Sequence, residues 1–167
     1  MSDTRLRRYL PVQVAGQNFA ISMHVVLAVQ QTAHPEMAST PTPSAAASAI
    51  SSADTGSDTV PTVDLGFLFG GDVQQDTSPP AAPQRYAIVV ATPSGSCALL
   101  VDTIHAIHSV EPEALYDLPY LVTLTGCPFE TLISVDDTLL PVVDVARLVD
   151  RLRAVRPDLV VEVNYAG

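Results

Sequence analysis

Val60-Pro61-Thr62-Val63-Asp64-Leu65-Gly66-Phe67-Leu68 returns eighty residues later as Leu140-Pro141-Val142-Val143-Asp144-Val145-Ala146-Arg147-Leu148. Both stretches read apolar, Pro, any residue, Val, Asp, apolar, two further residues, Leu, so the chain carries an internal repeat. β-branched residues around the proline favour an extended strand, and a proline with no N–H to give suits a strand's beginning or an edge. The aspartate falls where the strand ends, and its carboxylate can accept the free N–H groups of the turn or helix that follows. Asp64 and Asp144 are therefore read as structural caps rather than catalytic groups.

Working outward, the correspondence continues upstream. The turn glycines Gly16 and Gly95 and the strand residues Ile21 and Leu100 each lie 79 apart, and Val25 and Ala28 meet Ile104 and Ile107 at the same offset. Tyr9-Leu10-Pro11-Val12-Gln13-Val14 and Phe19-Ala20-Ile21 flank Ala15-Gly16-Gln17-Asn18, a hairpin pattern. Ile88-Val89-Val90, the turn Thr92-Pro93-Ser94-Gly95 and Cys97-Ala98-Leu99-Leu100-Val101 repeat it. Phe129 to Val135 and Leu139 to Val143 form a third hairpin around Asp136-Asp137-Thr138, whose residues favour turns. Asp144 then caps a helix whose apolar stripe is Val145, Leu148, Val149, Leu152 and Val155, until Pro157 stops it. Leu159 to Val163 adds a terminal strand. Residues 32–58, rich in Ala, Ser, Thr and Pro, lack the apolar content to offset their ordering entropy and read as a flexible insert. Residues 72–84, with Pro79, Pro80 and Pro83, read as a linker. The expectation is one domain over 8–155, built from copies at roughly 9–71 and 85–155, each a small β barrel, with a C-terminal helix.

At 167 residues and 47% hydrophobic content the chain is long enough for one substantial core or two small ones. Its apolar runs are far shorter than the roughly 20 residues of a membrane helix. No apolar segment follows the charged start Met1-Ser2-Asp3-Thr4-Arg5-Leu6-Arg7-Arg8, so no secretory signal is read and the cytoplasm is the expected location. Cys97 and Cys127 have neither metal-ligand spacing nor the density of a disulfide scaffold and are read as small hydrophobes. Eight basic residues, all arginine, stand against eighteen acidic ones, a net charge of −10 that argues against nucleic acid as a partner. The arginines gather at Arg5, Arg7 and Arg8 and on the last helix, either as solvated faces or as a rim that meets an acidic partner.

Together, Val12-Gln13-Val14-Ala15-Gly16-Gln17-Asn18-Phe19-Ala20-Ile21, Val60-Pro61-Thr62-Val63-Asp64-Leu65 with Phe69-Gly70, and Ile88-Val89-Val90 leading to Leu99-Leu100-Val101-Asp102-Thr103-Ile104 resemble the CheW-like domain over roughly residues 8 to 153. The resemblance implies a mainly β fold of two SH3-like five-stranded barrels with a C-terminal helix, no catalysis and no cofactor. It further implies an adaptor that links chemoreceptor cytoplasmic tips to the regulatory domain of a CheA-type histidine kinase. One departure stands out. Family members carry an Asn-Leu-Arg-Gly motif before the Val-Pro strand, and here that place holds Ser51-Ser52-Ala53-Asp54-Thr55-Gly56-Ser57-Asp58, with no arginine between Arg8 and Arg85. The alternative is a divergent scaffold of a pilus-motility or other non-standard chemosensory system. Val25, Val26, Ile104 and Ile107, at equivalent places in the two copies, are the candidate contact residues.

Enzymatic readings find little support. Asp54-Thr55-Gly56-Ser57 resembles an aspartic-protease loop, but the buried strand that fixes such a carboxylate does not precede it, and after Leu99-Leu100-Val101-Asp102-Thr103 an isoleucine stands where the loop needs glycine. In a strand, His105 and His108 point to opposite faces with no third ligand nearby. Gly66, Gly70 and Gly71 lack the spacing and the lysine of a nucleotide site.

Overall fold

A computed structural model describes residues 6–32, 59–69, 84–120 and 127–164. The three hairpins form where turn residues meet alternating apolar strands. Strands β1 (Arg7–Val14) and β2 (Gln17–Ser22) join through Ala15 and Gly16, at φ +50° and +78°. Positive φ at both central residues matches the right-handed twist of the strands it connects. The same geometry recurs at Asp136 and Asp137, between β10 (Phe129–Val135) and β11 (Thr138–Val143), where short polar side chains tolerate it. Between β5 (Arg85–Thr92) and β6 (Gly95–Val101), Gly95 takes a φ of +129°.

The remaining elements are β3 (Val26–Thr32), β4 (Thr59–Asp64), a short helix α1 (Leu65–Phe69), β7 (Thr103–Ile104), β8 (His108–Val110), β9 (Leu115–Tyr116), α2 (Val145–Val155) and β12 (Val160–Asn164). Thr32 pairs with Arg85, so the strand outruns the start expected for the insert. The rest of the insert, with its Asp-Thr-Gly-Ser string, lies outside the described residues, as does the linker up to Pro83.

The strands make a seven-stranded sheet, ordered β7-β1-β2-β11-β10-β9 with β8 also on β1, and a five-stranded sheet, ordered β12-β4-β6-β5-β3. Two expectations change here. Among the described residues both sheets are open rather than closed barrels, since no ladder joins the first and last strand of either. Neither sheet is built from one half of the chain. Strand β2 of the first hairpin lies parallel to β11 through Val142 and Ala20, and β4 lies parallel to β6 from Thr62–Ala98 to Asp64–Leu100. Parallel partners need a long crossover, and here the other half of the molecule supplies it. Periodicity announces a strand without naming its partner, which is why the exchange was not foreseen.

The main core lies between the sheets. Leu10, Val12, Val14, Phe19 and Ile21 meet Val63, Ile88, Val90 and Leu99, and Val145, Leu148, Val149 and Leu152 of α2 pack onto them. Phe19, Phe69 and Phe129 stack at centroid separations of 4.6, 5.7 and 5.9 Å. A smaller cluster of Tyr9, Ala20, Val110, Ile133, Leu140 and Val142 fills the other face of the larger sheet. β1 is thus buried on both faces. Val155 extends the helical stripe in sequence but ends 68% exposed, at the helix's last residue. Among the described residues no helix is long and apolar enough to cross a membrane.

Candidate interaction surface

Where β4 ends and β5 begins, one arginine gathers two carboxylates. Arg85 donates through Nη1 and Nη2 to Asp64 Oδ2 and Oδ1, both at 2.6 Å, and through Nε to Asp102 Oδ1 at 3.2 Å. Asp64 Oδ1 also accepts from the Gly66 N–H at 2.8 Å, and Asp102 Oδ2 from the Ala15 N–H at 2.7 Å. The β1–β2 turn of one sheet is thereby tied to the strand ends of the other. The two-pronged bond to Asp64 raises the Arg85 pKa above its ordinary value against the opposing effect of burial, with the charges of Asp64 and Asp102 adding to it. A Cβ at position 66 would lie 3.0 Å from Asp64 Oδ1 and 3.2 Å from Arg85 Nη2, so a side chain there would crowd this clasp. Asp144 Oδ1 accepts from the Arg147 N–H at 3.0 Å at the start of α2. Sequence reasoning passed over Arg85 and weighed Asp102 and Gly66 only for protease and nucleotide sites, not as parts of a clasp. The available signal was that Arg85 is the sole basic side chain between Arg8 and Arg147 in a strongly acidic chain, so a nearby carboxylate was to be expected.

The four candidate contact residues separate. Val25, Val26 and Ile104 are half-buried and pack against the main core, while Ile107, in the β7–β8 connection, is 43% exposed. Val26 stands opposite Val90 in one sheet and Ile104 opposite Val12 in the other, so the structure joins them through the core rather than in one patch. The exposed apolar side chains next to them are Leu27, at 62%, and Val29, at 47%. They belong to β3, the outermost strand of its sheet among the described residues, and an irregularity between Val26 and Ala28 breaks the alternation that would have revealed them. β3 carries no charged residue and no proline, the usual guards of a free edge.

Beyond this edge, His24 accepts or donates one hydrogen bond with Ser22 Oγ through Nδ1. Cys97 is buried and Cys127 half-buried, both as free thiols. His105 lies in an exposed connection and His108 in β8, and among the described residues no group of three or more His, Cys, Asp or Glu is placed to hold a metal ion.

A family model described as the CheW-like domain matches residues 8–153. No curated protein matches the chain in sequence. The fold is similar to that of the scaffolding protein TtCheW from Thermoanaerobacter tengcongensis, with a TM-score of 0.56 and 13% identity over 83% of this chain and 88% of that one.

Proposed function

The chain belongs to the CheW-like domain family, and from that premise we propose that it is a non-catalytic signalling adaptor coupling chemoreceptor tips to a CheA-type histidine kinase. The observation that carries this reading is the family match across residues 8–153, which takes in every described strand but the last and most of α2. The surface agrees with it. An adaptor must offer apolar contact without losing its own fold, and the edge strand β3 exposes Leu27 and Val29 while Val26 anchors it to the core. The partner surface is proposed to centre on these two residues, with Ile107 on the second copy's equivalent segment.

Titrating the purified chain with a CheA-type regulatory domain, and separately with a receptor cytoplasmic tip, tests the proposal. An exposed anchor typically costs 2 kcal/mol or more when truncated, so Leu27→Ala and Val29→Ala together are expected to weaken binding more than tenfold with little change in Tm. If the unaltered protein binds neither partner, the adaptor reading fails. The absence of any arginine between Arg8 and Arg85 favours a second reading, a scaffold of a non-standard chemosensory system. Binding to the kinase domain but not to the receptor tip is its signature.

A further inference from the structure

The internal repeat is kept in three dimensions, with one exchange. In the larger sheet the order β1-β2-β11-β10 sets the first hairpin beside β11, and in the smaller sheet the order β5-β6-β4-β12 sets the second hairpin beside β4. The registers agree as well. Ala20 of β2 is paired in parallel with Val142 of β11, and Ala98 of β6 in parallel with Thr62 of β4. Pro141 of β11 is paired with Leu132 of β10, and Pro61 of β4 with Glu162 of β12, antiparallel in both cases. β12 thus holds the place beside β4 that β10 holds beside β11. β10 comes directly before β11 in the chain and reaches it by a hairpin. At the same offset before β4 the sequence reads Ala49-Ile50-Ser51-Ser52-Ala53-Asp54-Thr55, whose alanines, serines and aspartate are poor strand formers. β12, Val160–Asn164, is rich in valine and comes from beyond α2, outside the residues 8–153 that the family model matches. The turn Pro157–Leu159, with Arg156 paired to Asp158 at 2.9 Å, brings the chain back along β4, and Val160 packs against the main core.

We propose that the outer side of β4 is a strand-binding site, that β12 is its ligand supplied in cis, and that this segment substitutes for the hairpin partner the first half of the chain does not encode. The ligand class is a short extended segment rich in β-branched residues, entering antiparallel to β4. Main-chain ladder bonds give such a segment its affinity, and Val160, opposite the fully buried Val63, is its apolar anchor. Without it β4 would present a free edge of unpaired N–H and C=O groups. An edge strand held to the rest of the fold by one short turn can leave and be replaced while the other strands keep their order, since opening there is local. The site lies at the opposite margin of the five-stranded sheet from Leu27 and Val29 and requires no partner protein, so it stands or falls independently of the adaptor reading.

The test is the full chain carrying Val161→Pro and Glu162→Pro. Of two neighbouring strand residues one turns its N–H toward the partner, so the pair of prolines removes a ladder bond. The variant is expected to melt about 5 °C or more below the unaltered chain. By fluorescence anisotropy, a labelled peptide of residues 157–167 is expected to bind the variant roughly tenfold or more tightly than it binds the unaltered chain, whose site is filled. Saturating peptide is expected to return the variant's Tm toward that of the unaltered chain, because a ligand of the folded state stabilises it. The same peptide carrying the two prolines is expected to bind neither protein. If the variant is unfolded by itself, recovery of native circular dichroism on adding the peptide supports the proposal and no recovery overturns it. An unchanged Tm, no binding of the peptide to the variant, equal binding to variant and unaltered chain, or equally tight binding of the proline peptide each overturns it too.

Discussion

At Arg85 a single side chain serves two sheets, and its neighbourhood shows why its loss is costly. Its side chain is 12% exposed and that of Asp64 13%, so removing the arginine strands a carboxylate in a largely dehydrated place. Arg85→Met is expected to destabilise the chain by about 3–5 kcal/mol in urea unfolding, and the companion variant Asp102→Asn by less, because Asp102 is better hydrated. Gly66→Ala is expected to reproduce part of the arginine's loss by forcing Asp64 and Arg85 apart. Glu130 provides the pH test. Its carboxyl titrates above the ordinary value, so the folded state prefers the protonated form. Its contribution is therefore present at pH below the ordinary carboxylate range and is lost as pH rises through the raised value. Thermal melts are expected to show Glu130→Gln as more stable than the unaltered chain near neutral pH, with the difference vanishing below about pH 4. Equal gains at both pH values would show that charge is not the cause.

Among the elements, α2 was the most fully legible. Asp144 at its start, the stripe Val145, Leu148, Val149 and Leu152, and Pro157 beyond its end define a helix with one buried face, and the structure builds it over Val145–Val155. Leu148, 4% exposed, sits in the main core, and Leu148→Ala is expected to cost about 2–5 kcal/mol by calorimetry or urea titration. The hairpins were equally plain, because turn residues of special φ and alternating apolar strands speak locally. β3 was harder to read. Its run Val26-Leu27-Ala28-Val29 is apolar throughout, so periodicity does not say which side chains face in, and the irregularity after Val26 turns Leu27, Ala28 and Val29 outward. Val26→Ala is accordingly expected to lower Tm, because Val26 packs on the core. Leu27→Ala is expected to leave Tm nearly unchanged.

The two sheets set the cooperativity of the whole molecule. Because β1 and β2 complete the sheet of β10 and β11, while β5 and β6 complete that of β3 and β4, neither half of the chain holds a full core. Fragments 1–78 and 79–167 are therefore expected to be unfolded apart and to recover native circular dichroism when mixed, whereas one fragment folding alone would refute the exchange. The sequence by itself determined the three hairpins, the strand around Pro61, the capped helix, the internal repeat and the family, since each is written in neighbouring residues or in the order of short motifs, whereas the short strands β7, β8 and β9 and the helix α1 went unread. Only the tertiary structure decided which strands pair, that the sheets stay open, and that Arg85 clasps Asp64 and Asp102. It also decided which apolar residues of β3 reach solvent and that β12 takes the place beside β4. These are contacts between residues far apart in the chain, where local propensity is silent and only the packing of one shared core selects among partners of equal hydrophobic pattern.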